Sequence, residues 1–470
     1  MSAPHDTRTH DVRPGAVARL RGGQFVGYAA GDVANNLTFS MVSAFLLIYY
    51  TDVAGISASV AGTLFLVVRV WGGVTDLFAG RRVDETQTRW GRFRPYLLFA
   101  SIPLVLSLVA LFSIPGGLGE GGTIAWAYVS YALFSLAYSF VNIPYGSLSA
   151  AMTQEPDDRA KLSSSRAIAA SVTILIIAVV VSPQISGGGD LQRSLTITTI
   201  VFAVIGYALY LWCFAVSRET VPRDAAPVSL HDTVRMVRHN RPLVLLCASA
   251  VLFLTGMFAI QTVGVYYARD VLGNADLYIV LTLVQTVGMI LASTLVPKAV
   301  EAVGKKPSYI AAGVFAAVAA VAVAVAPGST PAIGIVCFGL LGVGLGMINT
   351  LIFALQADTV DYGEWNSGIR AEGSSYAVLS FTRKIGQGVG GAAAAYTIGL
   401  GGYISGAASQ TDDAVTSIRV AVGILPAAVF VAAAAVMLAY PLTEKAFRRI
   451  VAQLAARRAE LPTGVRDALD

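Results

Sequence analysis

Five ionisable side chains fall inside otherwise apolar runs: Asp32, Arg69, Asp76, Arg166 and Lys384, with Arg383 beside the last. Charge in hydrocarbon is costly, so such groups face a protein cavity or pair with one another. They also tend to mark the path of an ion or substrate. Arg69 and Asp76 are two helical turns apart and share one face. Lys384 lies midway along a later run, Asp32 one-third into the first, and Arg166 at the start of the fifth. Two acids against three or four bases make the cavity net positive, and an anionic substrate could supply the missing charge through Arg166 or Lys384. If Arg383 or Arg166 instead snorkels to the interface, the cavity is neutral.

Neutral polar residues could line the same cavity: Asn35, Asn36, Ser139, Asn142, Gln261, Gln285, Asn349, Gln356 and Gln387. Such residues are more often helix-to-helix hydrogen bonds than ligands. Asn142 stands out because Pro144 follows it, and a proline in a span frees backbone groups. Tyr28, Tyr138, Tyr145 and Tyr376 could stack on a sugar or its aglycone. The run GQGVGG at 386–391 lacks the preceding strand that a phosphate-cradling loop needs. Gly386 with Gly390, and Gly342 with Gly346, read instead as close helix packing. No nucleophile–base pair and no metal-ligand spacing is present. The four histidines lie in the tail or the central loop, and the three cysteines, Cys213, Cys247 and Cys337, fall in apolar runs as packing residues.

These residues need spans to hold them. The chain has 470 residues, 55% hydrophobic and 13% charged, against roughly 25% charged in soluble domains. Mean hydropathy is +0.67. Apolar runs fall near 24–50, 57–80, 96–117, 123–151, 163–183, 194–216, 242–268, 276–299, 307–326, 331–358, 371–400 and 416–440, each long enough to cross a bilayer core of about 30 Å. The first is too long for a signal-peptide core and is read as a retained span. The expected fold is all-α and polytopic, about twelve transmembrane helices, with both termini on one side.

The loops fix that side. Arg81, Arg82, Arg89, Arg92 and Arg94 follow span two. Arg159 and Lys161 follow span four, and Arg218, Arg223, Arg235, Arg238 and Arg241 follow span six. Lys298, Lys305 and Lys306 follow span eight, and Arg370 follows span ten. The alternate loops carry little: Asp52, Glu120, Asp190 with Arg193, Arg269 with Asp270, then Asp412 and Asp413. The termini and basic loops are therefore expected to be cytoplasmic, in a cell inner membrane. The net charge of +5 reflects this orientation and not nucleic-acid binding.

The polar break 217–241 divides the chain into a six-helix half at 24–216 and another at 242–440, flanked by tails 1–23 and 441–470. RAKLSS at 159–164 echoes RAEGSS at 370–375, as repeated halves of a secondary carrier would. Residues 444–461 form a basic amphipathic helix expected to rest on the inner leaflet through Phe447, Ile450, Val451 and Leu454.

The chain resembles the glycoside–pentoside–hexuronide:cation symporters of the major facilitator superfamily, and within them the glucuronide carriers. The resemblance rests on GDVANN (31–36), YYTDVAG (49–55), TRWGRFRP (88–95), VNIPYGSLSAAMTQ (141–154), ADTVDYGEW (357–365) and SFTRKIGQGVGG (380–391). It implies a major facilitator fold in two six-helix halves and transport by alternating access. By position it implies that Asp76 carries the coupling cation, with Ser139 and Lys384 near it; Arg69, on the same helix face as Asp76, is expected to join them. Asp32 and Arg166 resemble sugar-binding residues, and Asn142 stands where relatives have a sugar-binding aspartate; Lys384, by its charge, and Tyr145, by its ring, are expected to join them at the substrate. Gly72-x-x-x-Asp76-x-x-x-Gly80-Arg81-Arg82 fits the superfamily's gating-loop motif, in which the acid braces a gate. Gly80, Arg81, Arg82, Arg89 and Arg92 are expected to close against the C-terminal half.

Gly72 departs from the family, which typically has a second carboxylate there. A sodium ion wants several oxygens, whereas a proton needs one titratable oxygen. The expectation is a proton-coupled importer of glucuronides or related acidic glycosides, with sodium disfavoured, no cofactor, no metal, no enzymatic activity and a monomeric state. The rivals are a symporter of a neutral glycoside or pentoside and, further off, a lysolipid carrier.

Overall fold

The computed structural model describes residues 20–153, 156–187, 189–220, 240–367, 372–404, 407 and 409–459. The expected Arg370 and most of the tails and central loop lie outside these residues, as do the side chains of Arg159, Tyr376, Arg457 and Arg458.

The chain folds into helices α1 (Gly22–Ile48), α2 (Ala58–Glu85), α3 (Arg94–Leu111), α4 (Gly119–Met152), α5 (Pro156–Ser186) and α6 (Leu191–Val216). The second half repeats them as α7 (Arg241–Tyr266), α8 (Leu277–Val303), α9 (Lys305–Val325), α10 (Pro331–Ser367), α11 (Glu372–Leu400) and α12 (Asp412–Leu438). A tail helix α13 spans Glu444–Ala459. Eleven of the described helices are long and apolar enough to cross a membrane, so this is a multi-pass membrane protein. The twelfth, α11, is long enough but carries Arg383, Lys384 and Gln387 amid small residues, which lowers its hydropathy.

The two halves pack alike. α1 lies on α5 and α6, and α7 lies on α11 and α12. α4 contacts α2 and α3, and α10 contacts α8 and α9. The halves meet along α2 against α11 and α5 against α8, two contacts that exchange under the same two-fold relation, and along α1 against α7. Small residues allow this closeness. A Cβ on Gly390 would come 2.3 Å from the Thr255 carbonyl of α7, and one on Gly346 2.4 Å from the Met289 carbonyl of α8. The two glycine pairs singled out in the sequence therefore serve helix packing.

A repeat unnoticed in the sequence confirms the duplication. α1 ends in a π-turn, Tyr49–Val53, and α7 in another, Tyr267–Val271. Each closes with a left-handed glycine, Gly55 at φ 68° and Gly273 at φ 77°. Tyr49 Oη accepts from the backbone N–H of Ile114, just past the end of α3, and Tyr267 Oη donates to the Val323 carbonyl near the end of α9, so each turn is pinned to the end of the third helix of its own half or the loop that follows it. This end of the bundle is the distal face; the end where α1 begins is the terminal face.

Two expectations change here. The tail helix was expected on the leaflet, but Ile450 and Leu454 are buried against protein. Trp365 Nε1 at the end of α10 donates to Gln453 at 2.7 Å, and Lys305 sits 4.8 Å from the Phe447 ring. Protein offered this apolar face a partner first. The helices also run past the apolar runs, α4 starting at Gly119 and α10 ending at Ser367. Helical hydrogen bonding continues into water, where hydropathy gives no signal.

Candidate functional site

The site is built where α2 and α11 run side by side. Glycines set the spacing: a Cβ on Gly399 would lie 2.5 Å from Ser59 Oγ, and one on Gly388 2.6 Å from the Arg69 stem. Arg69 thus lies across a bare stretch of α11. Its guanidinium donates to Gln387 Oε1 at 3.2 Å and sits 5.5 Å from the Phe39 ring. Among the described residues it has no carboxylate partner. Two turns on, Asp76 Oδ2 forms an ion pair with Lys384 Nζ. Asp76 Oδ1 is buried and has no hydrogen-bond partner among the described residues. The shared face of Arg69 and Asp76 holds as expected, but each meets its own residue of α11.

A second pair joins α1 and α5. Arg166 Nε donates to Asp32 Oδ1 at 3.0 Å, and Asn36 Nδ2 donates to Asp32 Oδ2 at 2.9 Å. The Arg166 guanidinium lies 5.1 Å from the Tyr145 ring, and Tyr145 stacks on Tyr28 with centroids 4.8 Å apart. Gly31 makes this possible, because a Cβ there would come 2.5 Å from the Tyr145 ring. Between the two pairs stands an aromatic partition: Phe39 stacks on Tyr138 at 5.7 Å and meets Phe258 edge-on at 6.1 Å. Asn142 is half-buried beside it, accepting from Tyr138 Oη at 3.5 Å.

Three expected placements differ. Tyr145 was to stack on a substrate, yet it is fully buried and its hydroxyl donates to the Tyr28 carbonyl at 2.8 Å. It therefore supports Arg166 from beneath. Ser139 was to stand beside Asp76; its Oγ instead meets Thr75 Oγ1 at 3.1 Å, on the neighbouring flank of α2. The basic loop was to close on the C-terminal half. In its described contacts it is tied to its own half: Arg92, Phe93 and Arg94 donate backbone N–H groups to the Glu219 carboxylate at 2.8–3.0 Å. Glu219 thus caps the start of α3, where unpaired donors and the helix dipole favour an anion. Gly91, at φ 101°, is required there, since a Cβ would lie 2.5 Å from that carboxylate. Arg92 Nε holds the Val83 carbonyl at 2.9 Å, Arg89 stacks on Trp90 at 4.4 Å, and exposed Arg81 and Arg82 pair with Glu85 beyond Gly80.

The sequence reading passed over the distal network. Arg269 pairs with Asp52 across the halves and with Asp270 at 2.9 Å, and it also meets Tyr403. Tyr403 Oη donates to Asp52 Oδ1 at 2.8 Å, and Thr51 Oγ1 meets Tyr266 Oη at 2.9 Å. Burial holds the Tyr403 phenol well above its usual range, so it remains a neutral donor. The repeated Asp in the two π-turns was the available signal: Asp52 and Asp270 occupy equivalent positions.

A family described as MFS/sugar transport protein matches residues 27–444. The glucuronide carrier protein homolog of Escherichia coli (strain K12) is 41% identical, over 92% of this chain and 95% of its own. The isoprimeverose transporter of Lactiplantibacillus pentosus is 32% identical, over 80% of each. The crystal structure of a D-xylose–proton symporter, 15% identical, covers 90% of this chain and 99% of its own at a TM-score of 0.62, which establishes the shared fold.

Proposed function

Because the chain belongs to the MFS/sugar transport protein family and is a secondary transporter working by alternating access, we propose that it couples proton entry to the uptake of glucuronides or related acidic glycosides. The observation that carries this reading is the Asp76–Lys384 pair between the halves. With both side chains largely withdrawn from solvent, the pair holds best while both members are charged and in contact. A proton on Asp76 cancels the attraction and frees the Lys384 ammonium, which then attracts a substrate carboxylate. Proton and anion therefore bind in concert, and neither alone leaves the site balanced.

Arg69 adds to this. With a neutral glutamine as its hydrogen-bond acceptor, it keeps the α2–α11 seam net positive, which favours an anionic sugar over a cation. Asp32 and Arg166, with Asn142 nearby, present a donor and an acceptor set suited to sugar hydroxyls. The name of the Escherichia coli relative agrees with a glucuronide. Against sodium stands Gly72, where a Cβ would come 2.8 Å from Ser135 Oγ. A second carboxylate is absent here, and any side chain at this position would need the Ser135 hydroxyl to rotate away. We place the termini and the basic loop in the cytoplasm, so the distal network closes the outer side in an inward-facing state. The carrier works as a monomer in the inner membrane.

One proton with one monoanion moves no net charge, so uptake follows the pH gradient and ignores voltage, although one moved charge is worth about 2.3 kcal/mol per 100 mV. The test is substrate-induced proton uptake in vesicles, wild type against Asp76→Asn. The wild type should acidify the lumen with glucuronide and the variant should not. Acidification by the variant, or voltage-driven uptake at fixed pH, would sink the scheme.

One observation favours a second reading. Asp32 and Arg166 already neutralise each other, as they would for a neutral sugar, and the Lactiplantibacillus pentosus relative is named for isoprimeverose. Counterflow of a glucuronide against a neutral xyloside separates the two.

A further inference from the structure

The neutral polar residues inside the helices fall into two groups. Asn35, Asn36 and Gln387 are engaged with Tyr210, Asp32 and Arg69. Gln261, Gln285 and Asn349 have no hydrogen-bond partner among the described residues, and all three line one cavity between α5, α7, α8 and α10. Its volume is about 350 Å³, within the roughly 300–1,000 Å³ of small-molecule sites. Among the described residues no carboxylate, ammonium or guanidinium lines it.

Helix packing holds the amides there. A Cβ on Gly342 would lie 2.2 Å from the Gln285 carbonyl, so α8 and α10 touch along their backbones and their polar side chains open on the same space. The cavity adjoins the charged site at two points. On α5, Arg166 reaches Asp32 while the next residue, Ala167, forms cavity wall. On α7, Met257 lines the cavity while Phe258 packs on Phe39, the ring beside Arg69.

Each amide carries two donors and an acceptor. All three are half-buried and face the open space of the cavity, so their hydrogen-bonding capacity is available to a ligand in place of water. A ring bearing several hydroxyls satisfies three such amides; an acyl chain or a plain aryl group cannot. We propose that this cavity is a second sugar subsite, holding a neutral hydroxylated ring joined to the acidic sugar at Asp32 and Arg166. The preferred substrate is then an acidic disaccharide, not free hexuronate or an aryl glucuronide. The acidic part of this inference rests on the proposed function above; the two-ring part rests on the cavity alone.

The test is counterflow in vesicles with five substrates: glucuronate, a glucuronosyl-hexose disaccharide, 4-nitrophenyl glucuronide, a neutral disaccharide and its monosaccharide. In wild type the acidic disaccharide should compete at the lowest concentration. In Gln285→Leu and Asn349→Leu its half-saturating concentration should rise about tenfold or more, the loss expected for one ligand hydrogen bond. Glucuronate exchange should stay within about twofold, which also reports that the variants fold, and Gln285→Asn should restore much of the disaccharide preference. The subsite is overturned if wild type prefers glucuronate or the aryl glucuronide, or if both leucine variants weaken one-ring and two-ring substrates alike. If wild type exchanges only neutral sugars, the acidic reading falls by itself. The subsite then stands or falls on whether the leucine variants discriminate the neutral disaccharide from its monosaccharide.

Discussion

At the distal end Arg269 meets Asp52, Asp270 and Tyr403 together; midway down the seam Lys384 meets Asp76, whose second oxygen is buried without a partner among the described residues. Both groups tie one half to the other. The distal network spreads one cation over two carboxylates and a phenol, and Asp52 also accepts from Thr51. Polar networks satisfied in this way rigidify what they join. The Asp76–Lys384 pair is half-satisfied, so one proton or one competing anion changes its balance. The contrast teaches that the first is a latch and the second a switch, although both are salt bridges between the same two bodies.

Removing the lysine tests the switch hardest. Lys384→Met leaves the half-buried Asp76 without its cation, a loss that should fall below the roughly 3–5 kcal/mol of a broken fully buried pair. Thermal unfolding in detergent should show it, together with loss of glucuronide uptake. Adding Asp76→Asn to Lys384→Met should recover most of the stability and none of the gradient-driven accumulation. If the double variant is no more stable than the single one, the two side chains are not the coupled unit described here.

A smaller effect is expected at the latch. Arg269→Gln keeps hydrogen bonds to Tyr403 and Asp270 but loses the charge that crosses the halves. A change of one or two kcal/mol in a two-state balance is a factor of about 5–30. Maleimide labelling of a cysteine placed at Thr51 should accelerate by that factor, while the pH dependence of uptake keeps its shape. A shifted pH profile with unchanged labelling would make Arg269 part of the coupling chemistry and erase the distinction.

The smallest change sharpens the switch. Gly72→Asp restores the second carboxylate typical of the family. Its Cβ would press on Ser135, and overpacking of this kind costs about 1–3 kcal/mol. The melting temperature should fall by a few degrees and uptake should remain indifferent to sodium. Sodium-stimulated uptake by this variant would mean that the Ser135 hydroxyl turns aside and that the glycine alone sets ion choice.

Much of this was legible in the chain. Hydropathy found the spans, because an apolar helix declares itself through composition, but not how far α5 and α10 continue beyond them. The intramembrane charges declared themselves too, since no such residue persists facing lipid. Their partners were not legible. Arg69 and Asp76 look like a pair along the sequence, yet Gly388 lets Arg69 cross α11 to Gln387, leaving Asp76 to Lys384. Asp52, Arg269 and Asp270 look like sparse loop charges because their association joins residues more than two hundred positions apart. Glu219 was hidden among basic neighbours, and only the approach of α3 shows it to be a cap.

The sequence by itself determined a duplicated helical membrane protein of the sugar-transport family and the places where charge enters its interior. Bilayer insertion is a local property of some twenty residues at a time, so local composition suffices for it. The tertiary structure alone decided which charges pair, which amides are left open to a ligand, and which end of the bundle is fastened. Those outcomes depend on how closely two helices approach, and that distance is set by glycines and side chains on separate segments that meet only after folding.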